Sequence, residues 1–331
     1  MWFKNLQVYR LTQAFDLSPE ELDAKLDEHV FEPCGSQDMQ SYGWVPPLGE
    51  QGVMNVHASN GYIMICAKRQ EKVLPAAAVK ERVLEQVKLI EAKDDRKLSR
   101  KERDEIKDNV TMEMLPRAFA KSSMQYAYFA LKEGLLVINA SSVKRAEEMI
   151  DALREALGSM PVIPLSPKNI PLQTMTQWLL SGEAPHKFNF GGICELKNMA
   201  EEGSVVSCKQ QDLLSEEINS YLTNGMAVTK LELLYKDRIE CVVDEKLGIK
   251  RLKFTEVVQE KAADENAEDA AELFDVEFAL MTLELSEFIH DIIEAFGGEN
   301  KDYLDNPNRL VEEKMVAALK DEALPSGVEE L

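Results

Sequence analysis

Residues 75–116 carry a helical pattern whose apolar face is only about one residue wide. Pro75 opens a first helix, and a capping box from Ser99 to Glu102 opens a second, which Pro116 ends. Apolar residues recur every three or four positions, at Val79, Val83, Val87 and Ile90 and then at Ile106, Val110 and Met114. Such narrow stripes cover little beyond a partner helix. The pattern therefore predicts a projecting helical hairpin, residues 75–116, which we call the finger.

On both sides of the finger the sequence has the short apolar segments that are typical of strands. Strands are predicted at residues 2–11, 53–58, 62–69, 124–130, 135–139, 227–234, 238–243, 249–254 and 276–285, and helices from 19, at 143–157, from 215 and at 287–296. Four prolines between residues 161 and 171 mark a boundary. We predict a multi-domain α+β fold with mixed or antiparallel sheets. Its parts are a first domain (1–74 plus 117–167), the finger (75–116), a second domain (168–298) and an acidic tail (299–331).

The charge of the chain is strongly uneven. Its net charge is -21, which by itself argues against a nucleic-acid ligand, because phosphates are neutralised by Lys and Arg. Residues 61–160, however, contain 19 of the 38 basic residues against 16 acidic ones, whereas residues 251–331 contain 7 basic and 22 acidic residues. The overall charge therefore does not exclude a basic surface on the finger or beside it.

We find no arrangement in the sequence that is typical of an active site or a resident cofactor. The four histidines have no metal-ligand spacing, and no glycine-rich phosphate loop or nucleophile motif occurs. The five cysteines form no C-x-x-C pair, as in a protein of the reducing cytosol. No apolar run approaches membrane-spanning length. These observations predict a cytoplasmic, non-catalytic protein without metal or cofactor.

Short segments spread over residues 1–299 form a distinctive set. They are Met1-Trp2-Phe3-Lys4-Asn5-Leu6, Pro33-Cys34-Gly35-Ser36-Gln37, Gly43-Trp44-Val45-Pro46-Pro47, Leu115-Pro116-Arg117-Ala118-Phe119, Leu153-Arg154-Glu155-Ala156-Leu157-Gly158-Ser159, Gln211-Asp212-Leu213, Lys250-Arg251-Leu252-Lys253-Phe254 and Phe296-Gly297-Gly298-Glu299. Together these segments resemble the recombination-associated protein RdgC family of proteobacteria.

The resemblance implies a horseshoe-shaped monomer that pairs through two interfaces into a closed ring with a basic hole wide enough for duplex DNA. It also implies DNA binding without sequence preference, association with the nucleoid and restraint of RecA-driven strand exchange. Binding of single-stranded DNA stays open. The finger corresponds to helical projections from the ring. Phe119 corresponds to an aromatic residue that packs across one homodimer interface, and Lys209, Gln210 and Gln211 correspond to the segment at the other.

The candidate DNA-binding residues are the basic side chains of the finger and of these matching segments. They are Arg96, Lys97, Arg100, Lys101, Arg103, Lys107, Arg117, Lys121, Lys209, Lys250, Arg251 and Lys253. Composition alone leaves a second hypothesis open, in which the acidic C-terminal quarter binds a basic protein or mimics DNA. On that hypothesis the finger is a solvated structural hairpin held by ion pairs.

Overall fold

The computed structural model describes residues 1–199, 203–264 and 269–302, and within these ranges it is an α+β fold of twelve strands and eight helices. The strands are β1 (Gln7–Leu11), β2 (Gln40–Val45), β3 (Val56–Ser59), β4 (Tyr62–Val73), β5 (Phe119–Ala130), β6 (Leu135–Ile138), β7 (Val162–Pro164), β8 (Phe188–Asn198), β9 (Val205–Cys208), β10 (Met226–Tyr235), β11 (Ile239–Asp244) and β12 (Ile249–Phe254). The helices are α1 (Pro19–Asp27), α2 (Ala76–Asp94), α3 (Arg100–Met114), α4 (Val143–Leu157), α5 (Pro171–Ser181), α6 (Glu216–Thr223), α7 (Glu256–Asp264) and α8 (Ala270–Ala295).

The strands form two sheets. The first has the order β2-β4-β5-β6-β1-β7, with β3 also paired to β4, and the second has the order β12-β11-β10-β8-β9. Every pairing between these strands is antiparallel. Of the two predicted alternatives, mixed or antiparallel sheets, the antiparallel one is therefore confirmed for the strands that the structure describes.

The helices α1 and α4 cover one face of the first sheet. Their apolar sides, with Leu22 on α1 and Leu153 on α4, pack in one core cluster with Trp44 and Phe129 of the strands. Sequence signals fix both helices locally, because a complete capping box at Ser18 starts α1 and the left-handed Gly158 ends α4.

The opposite face of the first sheet shares a second core with the second sheet and α8. Met64 and Tyr128 of the first sheet belong to the same buried cluster as Leu231 of β10 and Phe278 and Phe288 of α8. The long helix α8 thus binds the two sheets together by burying apolar side chains between them.

The finger has the predicted form. Helices α2 and α3 join the ends of the long strands β4 and β5 and pack chiefly against each other. Val87, Leu98 and Val110 are the buried residues between them, and the Ser99 capping box is complete. Two narrow stripes are therefore enough for a two-helix element that rests on little else.

Residues 276–285 are helical, so the predicted strand there is wrong. They belong to α8, which is continuous from Asp269 as N-cap to Phe296 as C-cap, and the predicted start of a separate helix at Ser286 is wrong as well. The helix is buried on most of its circumference in this region, because it lies between two sheets. Its apolar residues are therefore nearly continuous in sequence and lose the one-sided pattern of a surface helix.

Several further elements depart from the sequence prediction. The first strand begins at Gln7 rather than at residue 2, because the residues before it leave the first sheet and Leu6 pairs with Ile249 of β12. Strands β2, β8 and β9 and helix α5 were not predicted. Of the predicted acidic tail, residues 303–331 lie outside the described residues.

Candidate nucleic-acid interface

The basic residues of the finger fall into two classes. Arg96 contacts Glu102 at 2.6 Å, and Arg103 of α3 contacts Glu91 of α2 at 3.0 Å. The other four candidate residues are exposed and form no ion pair with the residues that the structure describes: Lys97, Arg100, Lys101 and Lys107. These four cations are available to an external anion.

The two ion pairs organise the tip of the finger. Glu102 accepts hydrogen bonds from the Arg96 guanidinium and from the backbone and hydroxyl of Ser99, and these lower the pKa of its carboxyl group to about 2. Glu91 accepts a backbone hydrogen bond from Leu98 at 3.0 Å and a second bond from Arg103, which lower the pKa of Glu91. The two arginines therefore stabilise the turn between α2 and α3.

Strand β5 leaves the base of the finger with an open edge. It pairs with β4 along its whole length, but with β6 only from Ala127 to Ala130. Residues 119–124 are all exposed, and they include the candidate Lys121; the candidate Arg117, just before them, is exposed as well. This segment therefore offers unpaired backbone groups beside basic side chains.

Phe119, the first residue of β5, is 87% exposed. It borders a groove of about 650 Å³ between the base of the finger and the ends of β4 and β5, with apolar side chains that include Val73, Leu74, Pro75, Ala78 and Met114. A large aromatic side chain in water beside an apolar groove is unfavourable for an isolated chain and is typical of an interaction surface.

The candidate segment Lys209 to Gln211 follows the edge strand β9 and is exposed. Its backbone is attached to β8 by a hydrogen bond of 3.2 Å from the Gln211 amide to the Gly192 carbonyl, and Gln210 has a left-handed φ of 54°. A Cβ atom on Gly192 would lie 3.3 Å from the Cα of Gln210, so the glycine permits this close packing. The segment is therefore exposed and packed closely against β8.

The three basic residues of β12 differ in their surroundings. Lys250 lies 2.8 Å from Asp244, and Lys253 lies 3.9 Å from Glu240. Arg251 is exposed, forms no ion pair with any described residue and has a left-handed φ of 51°. The sequence pattern did not distinguish these three residues, because the acidic partners of Lys250 and Lys253 belong to the neighbouring strand β11.

The candidate residues chosen from the sequence do not include several cations whose partners only the fold reveals. Lys4 is exposed, and its backbone carbonyl accepts a hydrogen bond from Leu252 at 2.8 Å, next to Arg251. Lys68 lies over the ring of Phe31 at 4.6 Å. The ammonium group of Lys72 donates hydrogen bonds to the backbone carbonyls of Gly35 and Ser36 and therefore holds the loop of residues 33–37 in place. No local signal identifies these residues, since each depends on a partner that is distant in sequence.

Metal-binding clusters and reactive thiols are the groups of the described residues that bear on catalysis. Among them no cluster of three or more His, Cys, Asp or Glu side chains has metal-binding geometry. Burial raises the pKa of Cys66 to about 12 and the pKa of Cys241 further, so these thiols are poor nucleophiles. Within the same ranges, each helix falls short of the length and apolarity that crossing a membrane demands.

Comparison with known proteins gives one consistent result. The family model described as "Putative exonuclease, RdgC" matches residues 1–299. The Recombination-associated protein RdgC of Aeromonas hydrophila is 42% identical over 301 residues, which are 91% of this chain and 99% of that protein. The proteins of the same name from Pseudomonas putida (strain GB-1; 43% over 300 residues, 90% and 98% of the two chains) and Tolumonas auensis (42% over 299 residues, 90% and 99%) are equally similar.

Proposed function

This chain belongs to the RdgC family, and from that membership we propose that it is a sequence-independent DNA-binding protein that restrains RecA-dependent recombination. The observation that carries the proposal is a group of four exposed candidate cations at the tip and on the second helix of the finger that form no salt bridge with the described residues: Lys97, Arg100, Lys101 and Lys107. In a chain of net charge -21, cations that are exposed and free of salt bridges are the groups that an external anion can contact.

Contact through the DNA backbone follows from the chemistry of these side chains. Lys and Arg on an exposed helix neutralise phosphates whichever bases are present, so they fix position without reading sequence. The acidic remainder of the chain repels DNA and thereby favours contact at the basic sites. Duplex DNA is the proposed main ligand, in the cytoplasm and at the nucleoid.

A salt titration tests this function. Binding of a labelled duplex is measured across a range of salt concentrations, with unrelated duplexes as competitors. We expect a steep linear log–log dependence, about 0.9 per phosphate contact, and equal competition by all sequences. A preference of roughly a hundredfold for one sequence is the scale of specific readout and contradicts the proposal. Absence of salt-dependent binding favours the acidic-partner hypothesis instead.

We also propose that the protein works as a homodimer closed into a ring. Phe119 lies next to an apolar groove on the same surface, so two copies related by a two-fold axis can each cover the aromatic ring of the other. The fixed segment from Lys209 to Gln211, on the edge of the second sheet, is the proposed second interface. Because each chain has two separate interfaces, two chains can close into a ring.

We further propose that DNA is bound without being cut, although the matching family model carries the word exonuclease. Support comes from the described residues, which contain no carboxylate and histidine cluster of the kind that holds the metal ions of nucleases. End-labelled linear duplex incubated with the protein and Mg²⁺ or Mn²⁺ should keep its length. Release of labelled nucleotides that a chelator stops would contradict this proposal.

A further inference from the structure

Strand β12 contains a β-bulge at Arg251. Glu240 of β11 pairs with Lys253 and Val242 pairs with Lys250, so one residue of β11 faces two residues of β12, Arg251 and Leu252. The φ of Arg251 is 51°, in the left-handed region. In the type of bulge whose first residue is left-handed, that position is normally a glycine, because a side chain there is strained.

The bulge is fixed from its other side by the N-terminal segment. Leu6 and Ile249 exchange backbone hydrogen bonds of 2.8 and 3.2 Å, the Leu252 amide donates to the Lys4 carbonyl, and the Arg251 amide donates to the Asn5 side chain at 3.4 Å. We call this contact between residues 4–6 and β12 the seam.

The seam is itself tied to the first sheet. Asn139, which follows β6, accepts hydrogen bonds from the amides of Lys4 and Asn5 at 3.2 Å each. The surrounding structure therefore enforces the left-handed conformation at position 251 from several directions, so it does not depend on which side chain stands there.

The charges around the bulge single out two side chains. Lys250 and Lys253 of the same strand have carboxylate partners, Asp244 and Glu240. Arg251 and Lys4 are both exposed residues of the seam, where the Lys4 carbonyl accepts a hydrogen bond from the residue after Arg251, and neither forms an ion pair with the described residues. The bulge places Lys250 and Arg251 between the buried Ile249 and Leu252, so the guanidinium is directed into solvent.

We propose that Lys4 and Arg251 form a phosphate-binding site at the seam, and that the bulge serves to display Arg251. Residues with a strained backbone conformation cluster at functional sites. At position 251 the function of the arginine side chain would outweigh the conformational strain that a glycine would relieve. The site is suited to a phosphodiester group, which a guanidinium and an ammonium contact together. This inference rests on the proposed DNA-binding function and assigns one of its contacts to two residues that are far apart in the chain. The hydrogen bond from the Arg251 amide to the side chain of Asn5, 246 positions away, brings these two segments together.

Two variants at position 251 separate charge from strain. Arg251→Ala removes the charge and keeps a strained residue, whereas Arg251→Gly removes both. Each is expected to lower the log–log salt slope of duplex binding by about 0.9 and to weaken binding roughly five- to tenfold at about 0.1 M salt. The glycine variant should unfold with an equilibrium constant roughly fivefold lower than that of the alanine variant. Lys4→Ala should reproduce the loss of slope.

Two controls match these changes. Asp237→Gly relieves a left-handed residue (φ 56°) in the turn between β10 and β11 and should leave the salt slope unchanged. Lys132→Ala removes an exposed cation outside the seam and should also leave it unchanged. An unaltered slope in both position-251 variants, while the parent protein binds duplex normally, overturns this inference alone. A parent protein without salt-dependent binding overturns the proposed function itself.

Discussion

Asp291 is the most strongly engaged buried carboxylate of the second sheet's core. It is 8% exposed, accepts two hydrogen bonds from Lys187 at 2.8 and 2.9 Å and one from the Tyr235 hydroxyl at 2.6 Å. Burial raises the pKa of Asp291, but the hydrogen bonds from Lys187 and Tyr235 outweigh it, and the net effect lowers that pKa. As an anion, this side chain therefore joins α8 to Lys187, the residue before β8, and to Tyr235 at the end of β10.

Replacement of Asp291 should destabilise the whole fold. Asp291→Asn leaves the ammonium group of Lys187 without its counter-charge, and we expect a loss of roughly 2 kcal/mol in the free energy of unfolding. That is less than for a fully buried pair, because Lys187 is partly exposed. Urea denaturation measures the loss. Glu287→Gln, on the same helix but 46% exposed, is the matched control and should cost less than about 1 kcal/mol.

The effect of Asp291 should depend on pH in a defined direction. Because its pKa is lower in the folded state, its contribution is complete above the ordinary aspartate value of 3.8 and is lost as the pH falls through the folded-state value. The difference in unfolding free energy between the parent protein and Asp291→Asn should therefore shrink as the pH is lowered from about 5 to about 2.5. A difference that is constant over this range would show that the carboxylate charge is not the cause.

Phe119 should stabilise the contact between two chains and contribute little to the stability of a single chain. Its side chain is 87% exposed, so Phe119→Ser should leave the melting of the single chain nearly unchanged and weaken dimerisation. Each buried Phe contributes roughly 1.5–3 kcal/mol, and a two-fold interface contains two of them. Sedimentation over a concentration series measures the change. Phe129→Ser, at a fully buried position of the same strand, should unfold the chain instead.

If the finger binds DNA as proposed, its ion pairs should determine which cations contact phosphates. Changing Lys97, Arg100, Lys101 and Lys107 together to Ala removes up to four phosphate contacts, so the log–log salt slope should fall by about 2–4. The buried stripe and the Ser99 capping box are untouched, and circular dichroism should confirm that the helices remain.

The matched control for the finger changes the paired arginines. Arg96→Ala with Arg103→Ala removes two cations from the same helical hairpin, but both are occupied by Glu102 and Glu91. We expect a smaller change of slope, below about 1, and faster amide hydrogen exchange at the tip of the finger. Equal losses of slope in the two variants would mean that the ion pairs open on binding and that all six cations contact DNA.

At the scale of the whole molecule, a protein that forms a closed ring should retain circular duplex DNA better than linear duplex DNA. At high salt, where phosphate contacts are screened, circular duplex threaded through the ring should stay bound while linear duplex of equal length slides off. Retention on immobilised protein after a wash at about 1 M salt measures the difference. Equal loss of both forms would contradict closure, and Phe119→Ser should abolish any difference by opening one interface.

Elements whose causes are local can be predicted from the amino-acid sequence. The bounds of α2 and α3 follow from Pro75, the Ser99 capping box and the apolar stripes, and the β3–β4 hairpin follows from Asn60-Gly61, where both residues have positive φ. These signals act within a few residues, so they need no knowledge of the rest of the chain. The resemblance of distributed short segments likewise gave the family, and the comparisons confirmed it.

The partners of apolar and charged residues, in contrast, are established by long-range contacts in the folded chain. The strand predicted at residues 276–285 is helical because α8 is enclosed by two sheets, which remove the one-sided pattern that identifies a helix. The same holds for charge, since Arg103 is paired with Glu91 across the finger, and the backbone of Lys4 is hydrogen-bonded to Leu252, the residue after Arg251. Burial and ion pairing act between residues that are close in space and far apart in sequence, and composition and periodicity contain no record of such contacts.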